Sequence, residues 1–137
     1  METVLVTGGS GYIGSWCAIE LLRRGYSVRT TVRNLASEPK ARAAIEALSG
    51  RGEALSFHAA NLTADAGWDE AAAGCDFVLH VASPLGVAEP KDADELIVPA
   101  RDGALRALRA AIGAGVKRVV MTSSVAATSR GHDAPDG

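Results

Sequence analysis

Apolar residues fall along this chain in two rhythms. Short strand-like runs occur at 4–6, 28–32, 55–59, 77–82 and 119–123. Between them, apolar residues recur every third or fourth place. Ile13, Cys17, Leu21 and Leu22 do so within 12–24, weaker patterns span 39–48 and 68–73, and Ile97, Ala104, Leu105, Leu108 and Ile112 share a face of 96–114. The first rhythm predicts strands and the second predicts helices with one buried stripe. Pro99 is expected to start or kink the last helix, and Gly113 and Gly115 signal its end ahead of the fifth strand. Strand alternating with helix predicts an α/β fold, a doubly wound parallel sheet of about five strands covered on both faces.

The pattern changes after Ser124. Residues 129–137 hold almost no apolar side chain and several turn formers, so a single domain over 1–128 is expected, followed by a loop or disordered tail. A chain of 137 residues can bury ~65–70% of its unfolded surface, enough for a stable core. The formal charge of -2, with Lys and Arg scattered, gives no electrostatic basis for a nucleic-acid or membrane partner. Cys17 and Cys75 are too few for a disulfide scaffold and are expected as reduced thiols, Cys17 packed in the core. A basic leader followed by an apolar segment is not visible, nor any run near the ~18 apolar residues of a membrane span, so a soluble cytoplasmic protein is expected.

Chemistry concentrates where the first strand gives way to the first helix. The glycines there fit two spacings, Gly9-x-Gly11-x-x-Gly14 and Gly8-x-x-Gly11-x-x-Gly14. Glycine permits a tight turn and close backbone approach to a ligand, and the helix that follows offers unpaired N–H groups and a positive dipole end. A strand, a glycine turn and a helix in that order suit the pyrophosphate of a dinucleotide. Such sites often place an acid about 20 residues past the glycines for the ribose 2′-hydroxyl. Here Arg33 stands 19 residues after Gly14, where a guanidinium would instead pair with a 2′-phosphate, and Lys40 adds a second positive charge. The competing reading leaves both as solvated charges on a loop. His80 lies in an apolar strand and reads as a core residue rather than a catalytic one. His58 and His132 have no partners at metal-ligand spacing, so no metal site is expected.

These motifs carry a resemblance. Thr7-Gly8-Gly9-Ser10-Gly11-Tyr12-Ile13-Gly14-Ser15-Trp16, Thr31-Val32-Arg33-Asn34, His80-Val81-Ala82-Ser83-Pro84 and Val120-Met121-Thr122-Ser123-Ser124 follow one another at consistent intervals. The chain resembles the N-terminal part of an extended short-chain dehydrogenase/reductase. Within that group it is most similar to dihydroflavonol reductases, cinnamoyl-CoA reductases and related NADPH-dependent carbonyl reductases. The resemblance implies a Rossmann-type sheet with NADP as cofactor. It implies that Gly8, Gly11, Tyr12, Ile13 and Gly14 line the pyrophosphate, and that Arg33 and Lys40 hold the 2′-phosphate. Asn61-Leu62 falls where the family usually has Asp-Leu near the adenine; Asn61 keeps an acceptor oxygen but loses the charge. Val81, Ala82 and Ser83 would pass along the cofactor, and Thr122 and Ser123 would approach the nicotinamide. Ser124 matches the catalytic serine, which hydrogen-bonds the substrate carbonyl while a tyrosine, its pKa lowered by a lysine, gives the proton.

That tyrosine and lysine stand in the family as Tyr-x-x-x-Lys, well past the serine. In this chain Tyr12 is followed at the fourth place by Trp16 and Tyr26 by Thr30. The expectation is therefore the cofactor-binding part of a longer enzyme that reduces an aldehyde or ketone, without its C-terminal substrate lobe and inactive alone. Alternatives are a non-catalytic NADP-binding, redox-sensing module and an NAD-dependent epimerase or dehydratase relative. A short protein in its own right also stays open. The fifth strand is expected to end the sheet as an exposed edge, so that the chain either self-associates through it or is only marginally stable. The other partner implied is a small carbonyl substrate.

Overall fold

A computed structural model describes residues 2–84, 92, 94–124 and 129. Along the chain run β1 (Thr3–Val6), α1 (Tyr12–Arg23), β2 (Ser27–Val32), α2 (Glu38–Ser49), β3 (Leu55–Ala59), α3 (Trp68–Ala72), β4 (Phe77–His80), α4 (Asp94–Ala114) and β5 (Arg118–Met121). Single 3-10 turns precede α2 and β3. The strands form one sheet in the order β3-β2-β1-β4-β5, every neighbouring pair parallel. The chain thus winds outward one way from β1 and then crosses back to wind the other way. The reversal lies between β1 and β4, where an open α/β sheet forms a crevice at the carboxyl ends of its strands.

Alternation along β1 splits the core in two. Val4 and Val6 join Ala18, Ile19, Leu22, Val28, Ile45 and Leu55 beneath α1 and α2. Leu5 points the other way, with Val78, Trp68, Ala71, Cys75 and the alanines of α4. From β2, Arg29 reaches the end of α3, where its guanidinium donates to the carbonyls of Ala71 and Ala73. A helix end leaves such carbonyls unpaired, so this contact ties α3 to the sheet.

Small residues share the buried faces of α1 and α4, which corrects the faces expected from sequence in part, since Leu22 is buried as expected. In α1 the buried side is Gly14, Ala18, Ile19 and Leu22, while Ile13 is 56% exposed and Cys17 is half-buried at the rim of the core. In α4 it is Gly103, Ala107, Ala110 and Ala111; Ile97, Leu105 and Ile112 are exposed, and Ala104 and Leu108 half-buried. In α4 the small side chains let the helix axis approach the layer beneath, and the bulkier ones lie at its flanks. A Cβ on Gly103 would lie 2.8 Å from Leu62 Cδ2, which measures how close α4 comes. Pro99 lies inside α4 rather than at its start, because the helix begins at Asp94. Strands β4 and β5 end two residues earlier than their apolar runs. The expected tail lies outside the described residues apart from Ser129.

Candidate functional site

The loop between β1 and α1 folds across the end of β2. The Gly8 amide donates to Thr31 Oγ1 at 3.1 Å, the Gly9 amide to the Thr31 carbonyl at 3.1 Å, and the Gly11 amide to the Gly8 carbonyl at 3.0 Å. Gly8 has φ +79, and a Cβ there would sit 3.1 Å from the Ala82 Cβ. A Cβ on Gly14 would collide with the Gly8 carbonyl oxygen. Glycine is thus required at both places, once for conformation and once for contact.

With those loop amides spent, the first-turn amides of α1 are left to face a ligand. Gly11 caps that helix without a side-chain hydrogen bond, and the first turn carries no acidic residue. The amides of Tyr12, Ile13 and Gly14 have no intrahelical acceptor and carry the positive end of the helix dipole, an arrangement that suits an anion. Gly8 contributes differently, by leaving room.

The loop forms one wall of a cleft of about 460 Å³ at the carboxyl ends of β1, β2, β3 and β4. Its lining brings together Gly8, Gly11, Tyr12, Ile13, Gly14, Arg33, Asn61, Leu62, Val81, Ala82 and Ser83, all expected from sequence. Ser10, Thr31, Val32, Ala60, Thr63, Trp68 and Pro84 also line it and were not anticipated. Arg33 is the one charged side chain among these described lining residues and forms no described ion pair. Lys40, exposed on α2, is not brought to the cleft wall, and neither are Thr122, Ser123 and Ser124, exposed just past β5. Thr122 is nonetheless tied to the neighbouring strand end, its amide donating to the His80 carbonyl at 3.1 Å. A wider apolar groove of about 620 Å³ runs along the outer side of α1, past Trp16, Glu20, Arg24 and Tyr26. It has neither the glycine cradle nor Arg33.

Thr7 joins the cleft's two central strands. Its hydroxyl oxygen accepts from the Val81 amide at 2.9 Å and the Ala82 amide at 3.0 Å, and lies 2.9 Å from His80 Nδ1. Two accepted bonds use both lone pairs, so the hydroxyl donates its proton to Nδ1 and His80 is the neutral Nε2–H tautomer. Burial lowers the His80 pKa below its ordinary value, in the same direction. His80 is 4% exposed and belongs to the core, as expected. The same bonds end β4: the amides of Val81 and Ala82 turn to Thr7 and run on as the cleft wall. Among the described residues, no group of His, Cys, Asp and Glu is arranged to hold a metal ion.

An open parallel sheet, a glycine cradle at an uncapped helix start and a cleft at the strand reversal define a Rossmann-type nucleotide-binding fold. The particular family follows from comparison: residues 4–137 match the NAD dependent epimerase/dehydratase family, and the chain belongs to it. Dihydroflavonol 4-reductase of Hordeum vulgare is 45% identical over 122 residues, covering 88% of this chain and 34% of the relative. A cinnamoyl-CoA reductase of Medicago truncatula is 43% identical over 131 residues, covering 93% and 39%. Among solved structures, Gre2 of Candida albicans in complex with NADPH superposes with a TM-score of 0.77 at 29% identity, covering 93% of this chain and 38% of that one. The chain therefore spans about a third of the length of these relatives. No described helix is long and apolar enough to cross a membrane.

Proposed function

We propose that this chain is the cofactor-holding part of an NADPH-dependent reductase acting on an aldehyde or ketone. The observation that carries the reading is the cleft itself, which pairs an uncapped helix start with Arg33 as its one charged lining side chain. A dinucleotide bearing a 2′-phosphate needs both features, a dipole end for the pyrophosphate and a separate cation for the third phosphate. In this reading the first-turn amides of α1 bind the pyrophosphate, and Gly8 and Gly14 leave room for it. Arg33 holds the 2′-phosphate, with Lys40 strengthening the local field from α2. Val81, Ala82 and Ser83 run beside the cofactor, and Thr122 and Ser123 border its nicotinamide half.

When bound, the reduced nicotinamide supplies hydride to a carbonyl carbon. Ser124 would hydrogen-bond the carbonyl oxygen and stabilise the charge that develops there. The proton donor is the tyrosine of the reductase pattern, which this chain's sequence does not contain after Ser124. Binding is the activity proposed for these residues, and reduction is proposed for the whole protein, since the chain spans about a third of the length of its relatives.

The test is equilibrium binding of NADPH and NADH to the chain and to Arg33→Ala. Because Arg33 is exposed, solvent screening limits its contribution, and a preference for NADPH of about tenfold is expected, lost in the variant. Equal affinity of the parent chain for the two cofactors would contradict the 2′-phosphate assignment.

A further inference from the structure

Asn61 lines the cleft just past the end of β3, and its side chain is held in one orientation. Its Oδ1 accepts from the Thr63 amide at 3.0 Å and from the Thr63 hydroxyl at 2.8 Å. A backbone N–H can only donate, so the atom facing it is the oxygen and not the amide nitrogen. Both lone pairs of Oδ1 are then occupied. The turn is anchored from behind as well: the Asn61 carbonyl accepts from the Ala64 amide at 3.1 Å and from Trp68 Nε1 at 3.0 Å, and Trp68 is 3% exposed. What Asn61 can offer a ligand is therefore the NH2 group, which only donates.

The neighbours of Asn61 say which part of a ligand it meets. The Ala60 amide donates to the Val32 carbonyl at 3.0 Å, so the chain leaving β3 lies directly beside the chain leaving β2, which continues into Arg33. Leu62, Val32 and Trp68 give this end of the cleft apolar walls suited to a flat ring. A base beside a ribose whose phosphate Arg33 holds belongs to this end. The opposite end, at Ser83 and Pro84 past β4, is left for the other half of the molecule.

We propose that Asn61 reads the cofactor's purine as a donor only, so that the cleft does not select the exocyclic amine of adenine and takes hypoxanthine in its place. A carboxylate in the same cap would behave differently. One oxygen would serve Thr63, and the other would accept from the adenine amine and repel the carbonyl oxygen of hypoxanthine. Replacing the free oxygen by NH2 inverts that contact. This inference rests on the dinucleotide reading above and concerns only its base.

The experiment measures binding of NADPH and of its deamino analogue, reduced nicotinamide hypoxanthine dinucleotide phosphate, to the chain and to Asn61→Asp, following nicotinamide fluorescence. The parent chain is expected to bind the analogue at least as tightly as NADPH. In Asn61→Asp, which keeps the Thr63 cap, NADPH is expected to win by about tenfold or more. A parent chain that already favours NADPH tenfold overturns the proposal, as does a ratio that Asn61→Asp leaves unmoved. Should the variant fail to fold, the parent ratio still decides. If the parent chain binds neither compound, the dinucleotide reading falls and this inference with it; binding of both with an adenine preference removes this inference alone.

Discussion

The Thr7 hydroxyl does three things with one oxygen, and its position makes the cleft possible. By taking the Val81 and Ala82 amides it releases the chain after β4 from strand pairing, and by donating to His80 it requires that imidazole to be neutral. Protonation of His80 would remove the acceptor and place a charge in a site that is 4% exposed. The folded-state pKa lies below the ordinary 6.5 because of burial, so the unfolded chain takes up the proton first as pH falls. Stability from this group is full above pH 6.5 and declines as pH drops from there toward the folded-state value. Denaturant titrations across that window should show the loss in the parent chain and a flatter profile in His80→Gln. His58, lowered by burial and by Arg29, contributes with the same sign, which makes His58→Gln the control. A flat profile in the parent would contradict the neutral assignment. The glycines of this site were legible in the sequence because glycine at fixed spacing between strand and helix has few other uses. Thr7 and Thr31 were not, since a threonine in or beside a strand is expected on propensity alone and only the fold shows what its hydroxyl meets. Trp68 escaped notice for a similar reason, its ring serving the core and its Nε1 the turn at Asn61.

Strand number, strand order of appearance and the positions of the helices could all be read from the two apolar rhythms, but which face of each helix is buried could not. In α4 the bulkier residues suggested a stripe through Leu105 and Ile112, while the stripe that packs is Gly103, Ala107, Ala110 and Ala111. Periodicity weights side chains by hydrophobicity, and a close helix contact is decided instead by what leaves space. Gly103 makes this testable, because its Cβ position lies against Leu62, itself a cleft wall. Gly103→Leu should destabilise the chain by about 1–3 kcal/mol through overpacking, outweighing the ~1 kcal/mol gained in helix propensity. Ile112→Ala, which removes a larger but exposed side chain, should stay within about 0.5 kcal/mol. Chemical denaturation of both variants reads the contrast, and the reverse order would mean that α4 packs through its leucine and isoleucine face. The early ends of β4 and β5 share this logic: an apolar run marks what is buried or lines a cleft, and hydrogen-bond partners decide where the strand stops.

Taken over the molecule, the order β3-β2-β1-β4-β5 gathers motifs scattered from Gly8 to Ser83 into one cleft, since every strand presents its carboxyl end to the same side. That convergence was implied by the alternation of strand and helix, whereas the cleft's outline depended on loops whose course the sequence does not encode in any periodic signal. Lys40 illustrates the difference: seven residues past Arg33 in sequence, it rides on α2 and is carried away from the wall. At the other margin β5 pairs only with β4 among the described strands, and Val120 and Met121 are exposed beside it. The chain matches its relatives over about a third of their length, and it is that third which holds the cradle, Arg33 and Asn61. The most direct test of this account is an NMR titration of the isotope-labelled chain with NADPH, read at backbone amides. Saturable shifts should be largest from Gly8 to Gly14 and at Arg33, Asn61, Val81 and Ala82. No shifts, or shifts confined to the outer groove at Glu20, Arg24 and Tyr26, would contradict it.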